Sequence, residues 1–186
     1  MKIKVNYKKI LFILAVYVIY INLFKGYISY YPSIPVYPNN NTDLKIMKKE
    51  MAKRTQEDID FFFKTNDSVA FAFLPYVNEN EEDLRKIVIS QNNIINFFKY
   101  SINRRRPYQI DENLSPLSTK TSGTPAYPAG HAYQALLLAK YLSKKYPEKK
   151  ELFNNLALKC DECRVKAGIH YKSDGEFSRK LFNIFN

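Results

Sequence analysis

His131-Ala-Tyr-Gln-Ala-Leu-Leu-Leu-Ala-Lys-Tyr-Leu142 is the stretch that decides the fold. Ala135, Leu136, Leu138, Ala139 and Leu142 leave little of a helix circumference polar, so this segment predicts a helix enclosed by other helices. A central helix needs partners on several sides, and the neighbouring sequence supplies them. Residues 80 to 103 predict a long helix, with Asn80 as its cap and Glu81, Glu82 and Asp83 in the first turn, where carboxylates suit the helix dipole. Leu84, Ile87, Val88, Ile95, Phe98 and Ile102 give it an apolar face. Residues 149 to 166 predict another helix, and a last one begins near Ser173, which with Glu176 fits a capping box.

Upstream, residues 43 to 64 predict a helix opened by Thr42 or Asp43, and 67 to 77 a short apolar helix or turn around Pro75. Pro107 to Gly130 is rich in Ser, Thr and Pro and reads as a loop. No strand pattern emerges, and five glycines in 186 residues suit helices better than a Gly-punctuated β-fold. The expectation is an all-α, compact helical bundle over residues 43 to 186.

The N-terminus differs. Lys2, Lys4, Lys8 and Lys9 precede an apolar run over residues 10 to 24, and Lys25 follows it. This layout predicts a hydrophobic helix within residues 1 to 31 that acts as a signal anchor or a cleaved signal peptide. Fifteen residues are few against the roughly twenty a spanning helix needs. Tyr27, Ile28, Tyr30 and Tyr31 extend the run as an interfacial belt. The lysine bias predicts a cytoplasmic N-terminus, with the later domain extracytoplasmic and either anchored or released. Residues 32 to 42 hold three prolines and a polar cluster, and read as a linker.

The formal charge is +11, from 29 Lys and Arg against 18 Asp and Glu. Without the five N-terminal lysines the excess is modest. That favours a small anionic ligand and argues against a dedicated nucleic-acid binder. Cys160 and Cys163 form a C-x-x-C that is a redox pair on one reading. Leu152, Leu156, Cys160 and Cys163 recur at helical spacing, which predicts ordinary core thiols.

Three segments concentrate chemically capable residues. Lys99 and Arg106 lie seven apart, so two cations can project alike from one helix end, either toward an anion or merely to complement the dipole. In Tyr127-Pro-Ala-Gly-His131, Gly130 admits close backbone approach, and His131 opens a helix whose amides favour an anion. In Arg164-Val-Lys-Ala-Gly-Ile-His-Tyr-Lys-Ser-Asp174, Asp174 can hold one nitrogen of His170 and leave the other as a nucleophile. These are the only two histidines in the chain.

Together the segments resemble the three-part pattern of the type 2 phosphatidic acid phosphatase and vanadium haloperoxidase superfamily. Lys99, Arg106 and Pro107 match Lys-x6-Arg-Pro. Pro128, Gly130 and His131 match three places of Pro-Ser-Gly-His. Arg164, His170 and Asp174 match Ser-Arg-x5-His-x3-Asp. Within it the chain looks most similar to soluble class A acid phosphatases of bacterial type.

The resemblance implies a phosphomonoesterase that needs no metal and no cofactor. His170 attacks phosphorus, Asp174 orients it, and His131 serves as general acid and base. Lys99, Arg106, Arg164, Gly130 and the residue at Ala129 hold the phosphoryl oxygens. The implied partner is a phosphorylated small molecule, a phospholipid included, with membrane contact through the N-terminal segment. Sister readings are a lipid phosphate phosphatase, a vanadate-dependent haloperoxidase and an inactive member. A basic membrane-surface or nucleic-acid adaptor using Arg104, Arg105 and Arg106 would leave both histidines unexplained. Two positions depart from the pattern: Ala129 and Cys163 each stand where it has serine.

Overall fold

The computed structural model describes residues 7–23, 33–117 and 120–186. Among these residues the regular structure is entirely helical. The helices are α1 (Tyr7–Leu23), α2 (Asn40–Met51), α3 (Gln56–Lys64), α4 (Ala70–Phe73), α5 (Glu81–Ile89), α6 (Asn92–Ile102), α7 (Gly130–Lys145), α8 (Lys150–Lys166) and α9 (Lys172–Phe185). The expected all-α class therefore holds.

Helix α7 occupies the centre and packs on α5, α8 and α9. Its small residues, Ala135 and Ala139, lie in one cluster with Leu138, Leu142, Val69, Phe73, Leu84, Val88, Phe153, Leu156 and Cys160. Its other side places Tyr133 and Leu137 against Ile95 and Leu181. Each fully buried Leu or Phe contributes roughly 1.5–3 kcal/mol to folding, so α7 draws on two apolar layers at once.

Two expected helices are broken. The segment 43 to 64 divides because Thr55 starts a new helix: its hydroxyl accepts from Asp58 N–H, and the Asp58 carboxylate accepts from Thr55 N–H. The segment 80 to 103 divides at Ser90 and Gln91, where Ser90 Oγ donates to Ile87 O and draws the chain out of register. Asn80 caps α5 as expected, accepting from Asp83 N–H. The cap of α2 is Asn39, ahead of Thr42 and Asp43, and α2 takes in the last residues of the expected linker. The cap position of α9 is Tyr171, two residues before Ser173, and Asp174 rather than Glu176 accepts from its N–H.

The apolar N-terminal run forms α1, and Tyr17 packs edge-on against Phe97 and hydrogen-bonds Ser101 of α6. Leu11, Phe12, Ile13, Leu14, Val16 and Ile19 of α1 remain exposed. Among the described residues no helix is long and apolar enough to cross a membrane, so the expected spanning helix is not present in them. The proposed aromatic belt of residues 27 to 31 lies outside the described residues. Cys160 and Cys163 are buried and free, and burial pushes both thiols up, as suits core residues on the α8 stripe.

Candidate active site

The site forms where the end of α6, the start of α7 and the α8–α9 junction meet. Asn103 ends α6 in the left-handed conformation (φ 55°), and the chain leaves in an extended path. Alternation along that path turns Arg104 and Arg106 inward and leaves Arg105 exposed. Lys99 and Arg106 thus do not share one helix, as their spacing suggests, yet both reach the same interior.

Gly168 (φ 77°) makes the turn after α8. A side chain there would be strained and would press on Met51. The turn delivers His170 just before α9 begins. Asp174 Oδ2 accepts from His170 Nδ1 at 2.9 Å and from Tyr171 N–H at 2.9 Å. One carboxylate oxygen therefore starts the helix and orients the imidazole. The remaining ring nitrogen, Nε2, lies 2.9 Å from Arg106 Nη1. A guanidinium only donates, so Nε2 is the acceptor and the ring proton resides on Nδ1.

Arg106 also donates from Nη1 to Ile169 O at 2.8 Å and from Nε to Thr124 O at 2.8 Å. Lys99 Nζ donates to Pro125 O at 2.5 Å, so both cations grip the 124–125 loop. Arg164 lies over the Phe62 ring and donates from Nη2 to Thr65 O at 2.6 Å and Oγ1 at 2.9 Å. Its Nε is buried without a hydrogen-bond partner among the described residues. His131, in the first turn of α7, has Nε2 3.2 Å from Asn66 O. A carbonyl only accepts, so Nε2 carries the proton and Nδ1 is the atom left to titrate.

These groups share one electrostatic field. Burial, then the Arg164, His170 and Lys99 charges, holds His131 well below the usual imidazole range, against the Asn66 bond. Burial, then Arg106, Lys99 and Arg164, does the same to His170. Lys99 is driven well below its ordinary value by burial and Arg106, with Asp174 opposing, and burial lowers Arg106 to about 10. Burial pushes the Asp174 carboxyl up, while Arg104, the Tyr171 N–H and Arg106 pull the other way. Lys99, Arg106, Arg164, His131, His170 and Asp174, distant in sequence, are thereby brought together.

Gly130 opens α7, where the first amides lack intrahelical acceptors. A methyl group at Gly130 would meet Ile95 and Lys99 only at ordinary contact distance, so no steric need for glycine is evident there. Ala129 is fully buried, and its N–H donates to Asp174 O at 3.2 Å, which commits that amide to the fold.

Sequence reasoning missed Arg104, Asp43 and Ser173 as parts of this site. Arg104 is fully buried and joins Asp174 to Asp43 through one guanidinium. Three consecutive arginines give no sign in the sequence of which face inward; the path after α6 alone separates buried Arg104 and Arg106 from exposed Arg105.

The site holds buried Arg106 and Arg164, one Arg164 N–H without a hydrogen-bond partner among the described residues, and two imidazoles held below their ordinary range. It can compensate an oxyanion and move a proton beside it. No group of three or more His, Cys, Asp or Glu among the described residues is placed to hold a metal. No protein-family model and no curated protein matches the chain.

Proposed function

We propose that the chain is a phosphomonoesterase of the type 2 phosphatidic acid phosphatase kind, acting through a phosphohistidine at His170. The observation that carries this reading is the Asp174–His170–Arg106 line. Nδ1 is held by a carboxylate, so the lone pair of Nε2 points at a cation that would draw a phosphoryl oxygen to it.

In the first step Nε2 of His170 forms a bond to phosphorus, and the bond to the leaving oxygen breaks. That oxygen takes a proton from His131. In the second step His131 accepts a proton from water, the water oxygen bonds to phosphorus, and the N–P bond breaks. Lys99, Arg106, Arg164 and the Gly130 N–H compensate the three equatorial oxygens. Arg106 and Lys99 would exchange their loop carbonyls for phosphoryl oxygens. His131 is held low by burial and then by the Arg164 charge, and a bound dianion would offset that charge, while burial and then Arg106 Nη1 against Nε2 keep His170 neutral for attack. Substrate itself therefore arms His131 with its proton.

The deciding assay is hydrolysis of nitrophenyl phosphate in the presence of chelator, together with acid-labile labelling by a phosphorylated substrate. Turnover and label in the wild type, both lost in His170→Ala, are expected. A His170→Ala protein that still turns over removes the nucleophile and the mechanism with it.

The exposed apolar side chains of α1, beside the helix that carries Lys99, favour a second reading in which the substrate is a lipid phosphate met at a bilayer. Phosphatidic acid in vesicles would then be hydrolysed faster than nitrophenyl phosphate. The apolar N-terminal run would serve as the anchor, with the catalytic domain outside the cytoplasm.

A further inference from the structure

We infer that Arg104 and Asp43 are positioning residues that set which nitrogen of His170 is the nucleophile, acting through Asp174; this rests on the phosphohistidine reading for its kinetic consequence only. Every nitrogen of the Arg104 guanidinium has an acceptor. Nη1 donates to Asp174 Oδ1 at 2.7 Å and to Ser173 Oγ at 2.7 Å. Nη2 donates to Asp43 Oδ2 at 2.8 Å, and Nε to Asn40 Oδ1 at 3.1 Å. Ser173 Oγ donates in turn to Asp43. The guanidinium plane is gripped by aromatic faces, with the Tyr171 centroid 3.9 Å and the Tyr37 centroid 4.4 Å from its carbon.

The consequence is a line of alternating charge: Asp43, Arg104, Asp174, His170. Arg104 takes one Asp174 oxygen completely, which leaves the other to face His170 Nδ1 and Tyr171 N–H. Without that hold, the carboxyl group could rotate and share both oxygens with the ring or the helix start. Asp43 balances the second half of the guanidinium. Arg104 therefore need not neutralise Asp174, which keeps enough charge to retain the Nδ1 proton. A lysine has one point of charge and cannot serve two carboxylates in fixed directions. Asp43 and Asn40 also belong to α2, so the docking of α2 reaches the reacting nitrogen through two side chains.

The test uses the full chain labelled with 15N-histidine, in which His131 is an internal control. Arg104→Lys is expected to change the His170 pattern from a single Nδ1–H tautomer to a mixture and leave His131 unchanged. It should lower kcat on the order of ten- to a hundred-fold, the scale on which outer partners of a functional imidazole act, with KM within about twofold. Asp43→Asn should shift both readouts the same way by less, and it carries the test alone if Arg104→Lys does not fold. A folded variant with the wild-type His170 spectrum and unchanged kcat overturns the inference. If the wild type hydrolyses no phosphomonoester but the variants still scramble the tautomer, the positioning role stands and the phosphatase reading falls.

Discussion

Asp161 shows what a single carboxyl group can do away from the reacting centre. It is nearly buried between α8 and α9, pairs with Arg179 at 2.6 Å through Oδ2, and has Oδ1 without a hydrogen-bond partner among the described residues. Burial raises it to about 6, against the pull of Arg179. The unfolded chain gives up this proton near the ordinary value of 3.8, while the folded protein keeps it until about pH 6. Stability from the protonated form is thus present below pH 3.8 and lost as pH rises through 6. A shift of this size corresponds to about 3 kcal/mol at neutral pH. Asp161→Asn, neutral throughout, should be more stable than wild type by about 1–3 kcal/mol at pH 7.5 and by much less at pH 4.5. Urea unfolding at the two pH values checks this, and equal differences at both would remove Asp161 as the cause. None of it was legible in the sequence, where Asp161 is one acid in a charged helix. The pattern residues were legible because their spacing relates them to one another. Arg104 was not, because its partners Asp43 and Asp174 lie 61 and 70 residues away.

Elements explain both the successes and the failures of sequence reasoning. The apolar rhythm of residues 131 to 142 set α7 at the centre, where it is found. The breaks at 52–55 and 90–91 were not visible, because the helical period resumes on the far side of each and a local Thr–Asp box or Ser back-bond decides them. The start of α7 carries a testable defect. Ala129 occupies its N-cap with extended backbone and no side-chain acceptor. Ala129→Ser, which also supplies the serine of the pattern this segment resembles, should stabilise the fold by about 0.5–2 kcal/mol and, on the proposed function, raise kcat/KM, read by denaturation and by the phosphatase assay. The α8–α9 crossing makes the opposite case. A Cβ on Gly175 would fall 2.0 Å from Asp161 Oδ2. Gly175→Ala should therefore cost at least about 1–3 kcal/mol, and adding Asp161→Ala should return part of that loss. A double mutant no better than Gly175→Ala would place the strain elsewhere.

For the molecule as a whole, anion binding as proposed would be coupled to folding through the cations and imidazoles of the site. His131 and His170 are both held well below 6.5 in the folded protein. As pH falls through 6.5 the unfolded chain takes up protons that the folded one refuses, so these two groups withdraw stability from that point downward. A bound dianion would change the sign for His131, because its charge favours the imidazolium form and offsets Arg164 and Lys99. Asp161 contributes equally with and without ligand, so it cancels when the two conditions are subtracted. Sulfate, a dianion across this range, should raise Tm relative to chloride at matched ionic strength. The rise should grow from pH 7.5 to pH 5.5, and at a hundred times Kd it should approach about 2.7 kcal/mol. For a chain of this size that is about 5–10 °C. Calorimetry in buffers of different ionisation enthalpy should show net proton uptake on binding, much reduced in His131→Ala. A sulfate effect independent of pH, with no proton taken up, would mean that the anion does not meet His131, and the chemistry proposed for it would lose its electrostatic basis.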